Sequence, residues 1–155
     1  MATPWAPRRK RASDRGQSLA EMALALPFLL ILIFGVIEFS MALRSYVVVT
    51  NATREGARYG AIGAVPGTYP SDCTSAGNAT IIGRTCGALT GLKSANVTSV
   101  SATYPNGSVS GQKVVVTTKY SYHFFTPVGG LIRFFSGGAY SDQIDFTSST
   151  VMRLE

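Results

Sequence analysis

An uncharged apolar run over residues 22–37, MALALPFLLILIFGVI, limits what this 155-residue chain can fold into more than any other feature. Continued to Leu43, just before Arg44, the stretch is about 22 residues, or roughly 33 Å of helix, enough to cross a hydrocarbon core of about 30 Å. It is apolar on every side, whereas a helix buried in a soluble core keeps a polar face. The flanks orient it. Arg8, Arg9, Lys10, Arg11 and Arg15 precede the run, and Arg44 is the basic residue just after it. The excess of positive charge places residues 1–16 in the cytoplasm and the chain from about residue 45 onward outside. A cleaved secretory signal has the same order of charge and apolarity, but its apolar core spans about 7–15 residues, and the following EFSMALRS is a poor cleavage site.

Composition agrees with a lipid-facing segment. Hydrophobic residues make up 46% of the chain and charged residues 14%, where a soluble chain carries about 25% charged. The formal charge of +6 is not a folded basic patch, because five of the basic residues lie in the first 16 against the single acid Asp14. Without that segment the chain carries about +2, so nucleic-acid binding is not expected.

Two acids flank or interrupt the apolar stretch. A carboxylate at membrane depth costs about 2.5–3.5 kcal/mol on insertion scales, so each needs a reason. Glu21 lies at the cytoplasmic edge, where a first-turn acid suits the helix dipole. Glu38 lies nearer the outer edge, where it either reaches for headgroups or meets a partner on another chain. Neither has a base three or four residues away, which excludes an ion pair along the helix.

Read as one unit, RGQSLAEMALALPFLL resembles the processing site of type IV pilin-like precursors, with four residues between Gly16 and Glu21. The segments containing Gly35-Val36-Ile37-Glu38-Phe39 and Asn51-Ala52-Thr53-Arg54-Glu55-Gly56-Ala57-Arg58-Tyr59-Gly60 are similar to TadE-like proteins of tight-adherence (Flp-type) pilus systems. The resemblance covers roughly residues 15–62, and Met22 stands where the related short Flp pilins have Tyr. It implies that a prepilin peptidase cuts between Gly16 and Gln17, with Glu21 as the recognition acid. Glycine admits the close backbone approach that a peptidase cleft requires. It further implies that the new amine of Gln17, charged below a pKa of about 8, meets a Glu21 carboxylate on a neighbouring subunit. A minor, pilin-like subunit or a component of the assembly platform, in a bacterial cytoplasmic membrane, is the role this predicts. An unprocessed single-pass anchor with an extracytoplasmic binding domain is the competing reading.

Beyond the span, residues 44–62 continue as a helix extension. Ala52, Gly56, Gly60 and Ala64 recur every four residues and form a small-residue strip if the helix reaches that far. Since each interior glycine costs about 1 kcal/mol, the strip asks for a packing partner: another subunit's helix or the chain's own sheet. Glu55 and Arg58 are placed for an i,i+3 ion pair, leaving Arg54 to the domain or a partner.

Residues 63–155 read as an exported domain with a loop-rich start, broken by Pro66, Gly67, Pro70 and Gly77. A short helix is predicted over 81–89. Strands follow over 97–104, 113–124 and about 140–154, the second with Val114, Val116, Tyr120, Tyr122 and Phe124 on one face. Asn106-Gly107 reads as a hairpin turn, and residues 131–135 as a short helix or a membrane-proximal apolar lip. The expected fold class is α+β: a transmembrane helix over 17–43, its extension packed on a small antiparallel sheet of about three strands, in the manner of pilins.

Cys73 and Cys86 lack the ligand spacing and partners of a zinc site. Outside the cytoplasm they are placed to form a disulfide, the alternative being two separate buried thiols. His123 falls on the polar face of its strand, and Asp142 and Asp145 fall on opposite faces, so no general acid–base pair forms. An enzyme, a cofactor, a metal and a small-molecule substrate are therefore not expected. The N-x-S/T matches at Asn51, Asn78, Asn96 and Asn106 carry little weight in a bacterial chain rich in these residues. The expected partners are membrane lipid, the prepilin peptidase, and other pilin-like subunits or the assembly platform.

Overall fold

A computed structural model describes residues 11–68, 73, 77, 79–139 and 142–155, with the backbone alone for 11–15. The basic leader residues Arg8, Arg9 and Lys10, the breaker Pro70, Asn78 and the first two positions of the expected last strand lie outside the described residues. The chain runs α1 (Arg11–Ala61), α2 (Ile81–Ala88), β1 (Val97–Thr103), β2 (Lys113–His123), α3 (Val128–Phe135) and β3 (Gln143–Arg153). The α+β expectation holds: one long N-terminal helix is followed by a three-stranded antiparallel sheet in the order β1-β2-β3.

Helix α1 is 51 residues long, about 76 Å at 1.5 Å per residue, and its two halves differ in surroundings. Every residue from 16 to 33 is exposed, and Phe34 and Gly35 are half-buried. Pro27 lies inside this half, where its missing N–H leaves one i−4 carbonyl without a helical donor; membrane helices tolerate such a break. From Glu38 onward the pattern changes. Glu38, Ala42, Ser45, Val49, Ala52, Thr53, Gly56, Ala57 and Gly60 are buried in steps of three and four, the period of one helix face. Domain packing therefore begins inside the segment expected to span 17–43, and the part of the helix with every residue exposed is 16–33. The helix ends at Ala61, where Gly63 adopts a positive φ of 81° and its N–H bonds the Gly60 carbonyl at 3.0 Å, a left-handed stop favouring glycine. Ala64 consequently falls in the loop, and the small-residue strip is three residues long rather than four.

The sheet covers its apolar face with that half of α1. Val114 and Val116 of β2 are fully buried, each contributing about 1.5–3 kcal/mol of burial. Along β2 the buried positions alternate from Val114 to Tyr122, as the sequence predicts. Thr118 lies on that face too: its hydroxyl accepts from Thr53 of α1 at 2.9 Å, a bond joining helix to sheet. The opposite face is polar, with Ser121 donating to Asp145 at 2.6 Å. Thr80 caps α2 by accepting from the Gly83 N–H. A disulfide joins Cys73 to Cys86, the first of the two alternatives, and ties the loop after α1 to α2. Asn106-Gly107 does lie in a turn, closed by the Gly107 N–H on the Tyr104 carbonyl at 3.2 Å. The connection between β1 and β2 is longer than a two-residue hairpin, because Gly111 donates to the Leu154 carbonyl at 2.9 Å and anchors the loop to the chain after β3.

Strand β2 runs against the direction of α1. Val114 lies at Gly60, Thr118 at Thr53 and Tyr122 at Glu38. The β1–β2 loop is thus at the far end of the domain, and the β2–β3 connection, which contains α3, is at the end facing the free half of α1.

Candidate functional site

The residues that sequence reasoning singles out divide between the two halves of α1. Gly16, Gln17 and Glu21 lie on its exposed part, within helix. A Cβ on Gly16 would meet nothing within 4 Å, so no packing among the described residues requires glycine there. The Gly16–Gln17 bond is helical rather than extended, and a peptidase cleft can take it only after the first turns unwind. Glu21 is exposed and makes no hydrogen bond or ion pair with a described residue. About 25 Å of helix separates it from Glu38.

Glu38 has the opposite environment. It is 3% exposed, and its carboxylate accepts three hydrogen bonds from its own chain. The Tyr122 hydroxyl donates to Oε1 at 2.7 Å, the Phe125 N–H to Oε1 at 2.9 Å and the Thr126 N–H to Oε2 at 2.8 Å. Charge-assisted bonds of this kind are roughly twice as strong as neutral ones. Neither expected reading of Glu38, the headgroups or another chain, describes this: its partners are the end of β2 and the two amides just before α3. The phenol of Tyr122 is pushed well above the usual tyrosine range, first by burial and then by its bond to the Glu38 carboxylate and the charge there. The signal available in the sequence was an acid without a helical base, together with a strand whose inward face ends in Tyr122. What stayed hidden was the pair of backbone amides, which carry no residue code.

The strip residues face inward. Ala52 is 1% exposed. A Cβ on Gly56 would collide with the Thr85 hydroxyl of α2, and one on Gly60 would come within 2.8 Å of Val114. Of the two partners weighed for this strip, the chain's own α2 and sheet occupy it, which leaves no room there for a helix of another subunit. Tyr104 completes the seam, its hydroxyl 2.9 Å from the Gly60 carbonyl, which also accepts from the Gly63 N–H, and 2.7 Å from that of Ala64. Burial pushes that phenol up as well.

Glu55 and Arg58 stand 4.0 Å apart, at the limit of an ion pair. The closer partner of Glu55 is Arg84 of α2, whose Nε and Nη2 donate to Oε1 at 3.2 and 3.0 Å. A partner 29 residues away escapes any helical-spacing rule. Arg54 and His123 are exposed. Among the described residues no cluster of three or more His, Cys, Asp or Glu is placed to hold a metal ion.

These features define a class: a small antiparallel-sheet domain clamped to the C-terminal half of a long helix, whose N-terminal half is long and apolar enough to cross a membrane and packs on little of its own chain. The family model of TadE-like proteins matches residues 16–58. Residues 16–58 are a TadE-like domain, as the sequence resemblance implies, and this associates the chain with tight-adherence pilus systems. The match opens at Gly16, includes Glu38, Ala52 and Gly56, and ends just before Gly60. No curated protein and no solved structure matches the chain.

Proposed function

We propose that this protein is a pseudopilin, a minor pilin-like subunit of a tight-adherence pilus system, structural rather than catalytic. In this reading α1 crosses the cytoplasmic membrane with its N-terminus in the cytoplasm and the sheet domain outside. A prepilin peptidase removes residues 1–16, and the freed helix enters the assembly, with the Glu21 carboxylate meeting the Gln17 amine of a neighbouring subunit. The observation that carries the reading is the free half of α1. Residues 16–33 form an exposed apolar helix containing a glycine and an acid, Gly16 and Glu21, that no packing among the described residues explains. Glycine in a helix interior costs about 1 kcal/mol relative to alanine, so its reason lies in a partner outside the chain. Removing the basic leader also removes the charge that orients the span.

The test is chain mass in cells that contain the cognate peptidase and assembly proteins. Unaltered protein is expected to begin at Gln17, and Gly16→Leu to retain its leader and stay out of pili. Unaltered mass together with normal piliation by Gly16→Leu would rule out this mechanism. One observation favours a second reading, a retained anchor with an extracytoplasmic binding domain: α1 continues without a break upstream of Gly16 to Arg11. Membrane-isolated protein that still carries residues 1–16 is the result that reading requires.

A further inference from the structure

Among the described residues, helix α3 and the segment leading into it carry the most exposed aromatic side chains of the domain. Phe125 and Phe135 are 81% exposed and Phe134 is 79% exposed, with Leu131 at 36%. Elsewhere among the described residues of the sheet, Tyr120 and Tyr122 are in the core, with Phe124 and Phe146 partly buried against it. An exposed cluster of this kind marks a surface with a partner.

Its position identifies the partner. The Phe125 and Thr126 amides are bonded to Glu38, so α3 begins at the level on α1 where domain packing stops and the free apolar helix starts. Asp142 closes the base of this excursion, its carbonyl accepting from the Phe124 N–H at 3.0 Å. The main packing of α3 is against α1 rather than the sheet. Gly129 sits so close to Phe124 that a Cβ would come within 2.9 Å of it, which fixes the start of α3 against the end of β2. From residue 124 to 139 the one charged residue is Arg133, in the last turn of α3. Arg44 and Lys93 line a cleft on this same end together with Phe125. Aromatic rings beside a membrane helix, rimmed by basic groups, match the headgroup layer of a bilayer, where phenylalanine takes the acyl boundary and arginine the phosphates.

We propose that Phe125, Phe134 and Phe135 on and before α3 seat in the interfacial layer of the outer leaflet, so that a phospholipid surface, and not a second copy or another protein, covers this lip. The domain is then held upright on the membrane at two points: through α1 and through α3. This inference rests on the reading of α1 as a membrane span. It gives the Glu38 clamp a further consequence, because the carboxylate sets the height of the lip relative to the span.

The experiment uses the full chain in vesicles of equal parts phosphatidylcholine and phosphatidylglycerol. Trp5, the single tryptophan, is replaced by Phe, and reporters are introduced one at a time as Phe135→Trp, Phe134→Trp, Leu29→Trp and Val109→Trp. Quenching by lipids brominated at shallow or deep acyl positions reads depth. The expected result is shallow quenching for Phe135→Trp and Phe134→Trp, deep quenching for Leu29→Trp, and none for Val109→Trp in the far loop. Deep quenching of Leu29→Trp with no quenching of either α3 reporter overturns the lip proposal alone, whether their emission shows water or burial in protein. Absence of quenching at Leu29→Trp overturns the span reading, and the lip proposal with it. Equal quenching at Val109→Trp overturns the upright placement.

Discussion

Replacing Glu38 tests whether one carboxylate clamps the domain to the helix. In the native chain it receives a hydroxyl and two backbone N–H groups. Glu38→Ala removes all three bonds and strands three donors at a site where Glu38 itself is 3% exposed. A hydrogen bond to a charged group contributes about 1.5–3 kcal/mol net, and a buried donor left alone costs about 1–3 kcal/mol. The two amides sit at a part-buried edge that water reaches once the side chain is gone, which offsets some of the loss. The expected cost is therefore about 3–5 kcal/mol, the range seen when one partner of a buried charged pair is removed. The cost falls on local opening of the β2–β3 connection, because the core of Val114, Val116 and Ile81 stays intact.

Hydrogen exchange on the full chain in lipid nanodiscs reads that opening directly. Peptides covering residues 120–135 are expected to exchange roughly 10²-fold to several thousand-fold faster in Glu38→Ala, at tenfold per 1.4 kcal/mol, while peptides from β1 hold their protection. Glu38→Gln keeps the shape and one carbonyl oxygen but loses the charge, and is expected to cost about half as much. A double-mutant cycle with Tyr122→Phe is expected to give a coupling of about 1 kcal/mol or more, as for residues in one hydrogen-bond network. If exchange over 120–135 rises less than about threefold in Glu38→Ala, the carboxylate is not the clamp, and the domain is held by the small-residue seam alone.

The glycines of α1 provide a contrasting pair: Gly56→Ala is expected to cost about 1–3 kcal/mol by overpacking against Thr85. Gly35→Ala, which meets nothing within 4 Å, is expected to be neutral or to stabilise the helix by up to about 1 kcal/mol; thermal unfolding in one detergent compares the two. Reducing the Cys73–Cys86 disulfide is expected to cost about 3 kcal/mol by freeing its loop, checked by faster exchange in residues 79–88 after treatment with a thiol. Tyr104 and Tyr122 are both held neutral above the pH at which a free phenol ionises. Their contribution is full below about pH 10 and is lost as pH rises above it, by up to about 1.4 kcal/mol per unit for each tyrosine. Tyrosinate absorbance, followed with the unfolding midpoint, checks this, and an unchanged midpoint from pH 9 to about 12 would contradict the burial of these phenols.

Much of this architecture could be read from the chain because it is periodic. The apolar run and the two-residue alternation of β2 each report their own local structure, and the structure has both. The register of helix against sheet is different. It depends on contacts such as Thr53 with Thr118, 65 residues apart, and Glu55 with Arg84, 29 apart, which no local pattern encodes. The strip of Ala52, Gly56 and Gly60 shows the limit: the sequence states that something approaches closely there, not that it is Thr85 and Val114 of the same chain. Glu38 shows it again, since two of its three donors are backbone amides.

The same residue types thus mean different things on the two halves of α1. Gly56 and Gly60 have a reason inside the chain, and so does the acid Glu38. Gly16, Gly35 and Glu21 have none: a side chain would fit at either glycine, and Glu21 meets solvent where the chain is alone. A helix that accepts the cost of glycine and an acid in an apolar stretch, with no compensation within its own fold, is shaped for something it meets after folding. The clamp at Glu38 separates these tasks. The domain's main packing lies on residues 38–61, and residues 16–37 are exposed except at Phe34 and Gly35. Loosening the clamp should therefore disturb the placement of the domain without altering the lower helix, whereas substitutions at Gly16 or Glu21 should alter assembly without changing the domain's stability. Measured in parallel, piliation and hydrogen exchange would separate the two effects, and a Glu21→Ala variant that destabilised the sheet would contradict that separation.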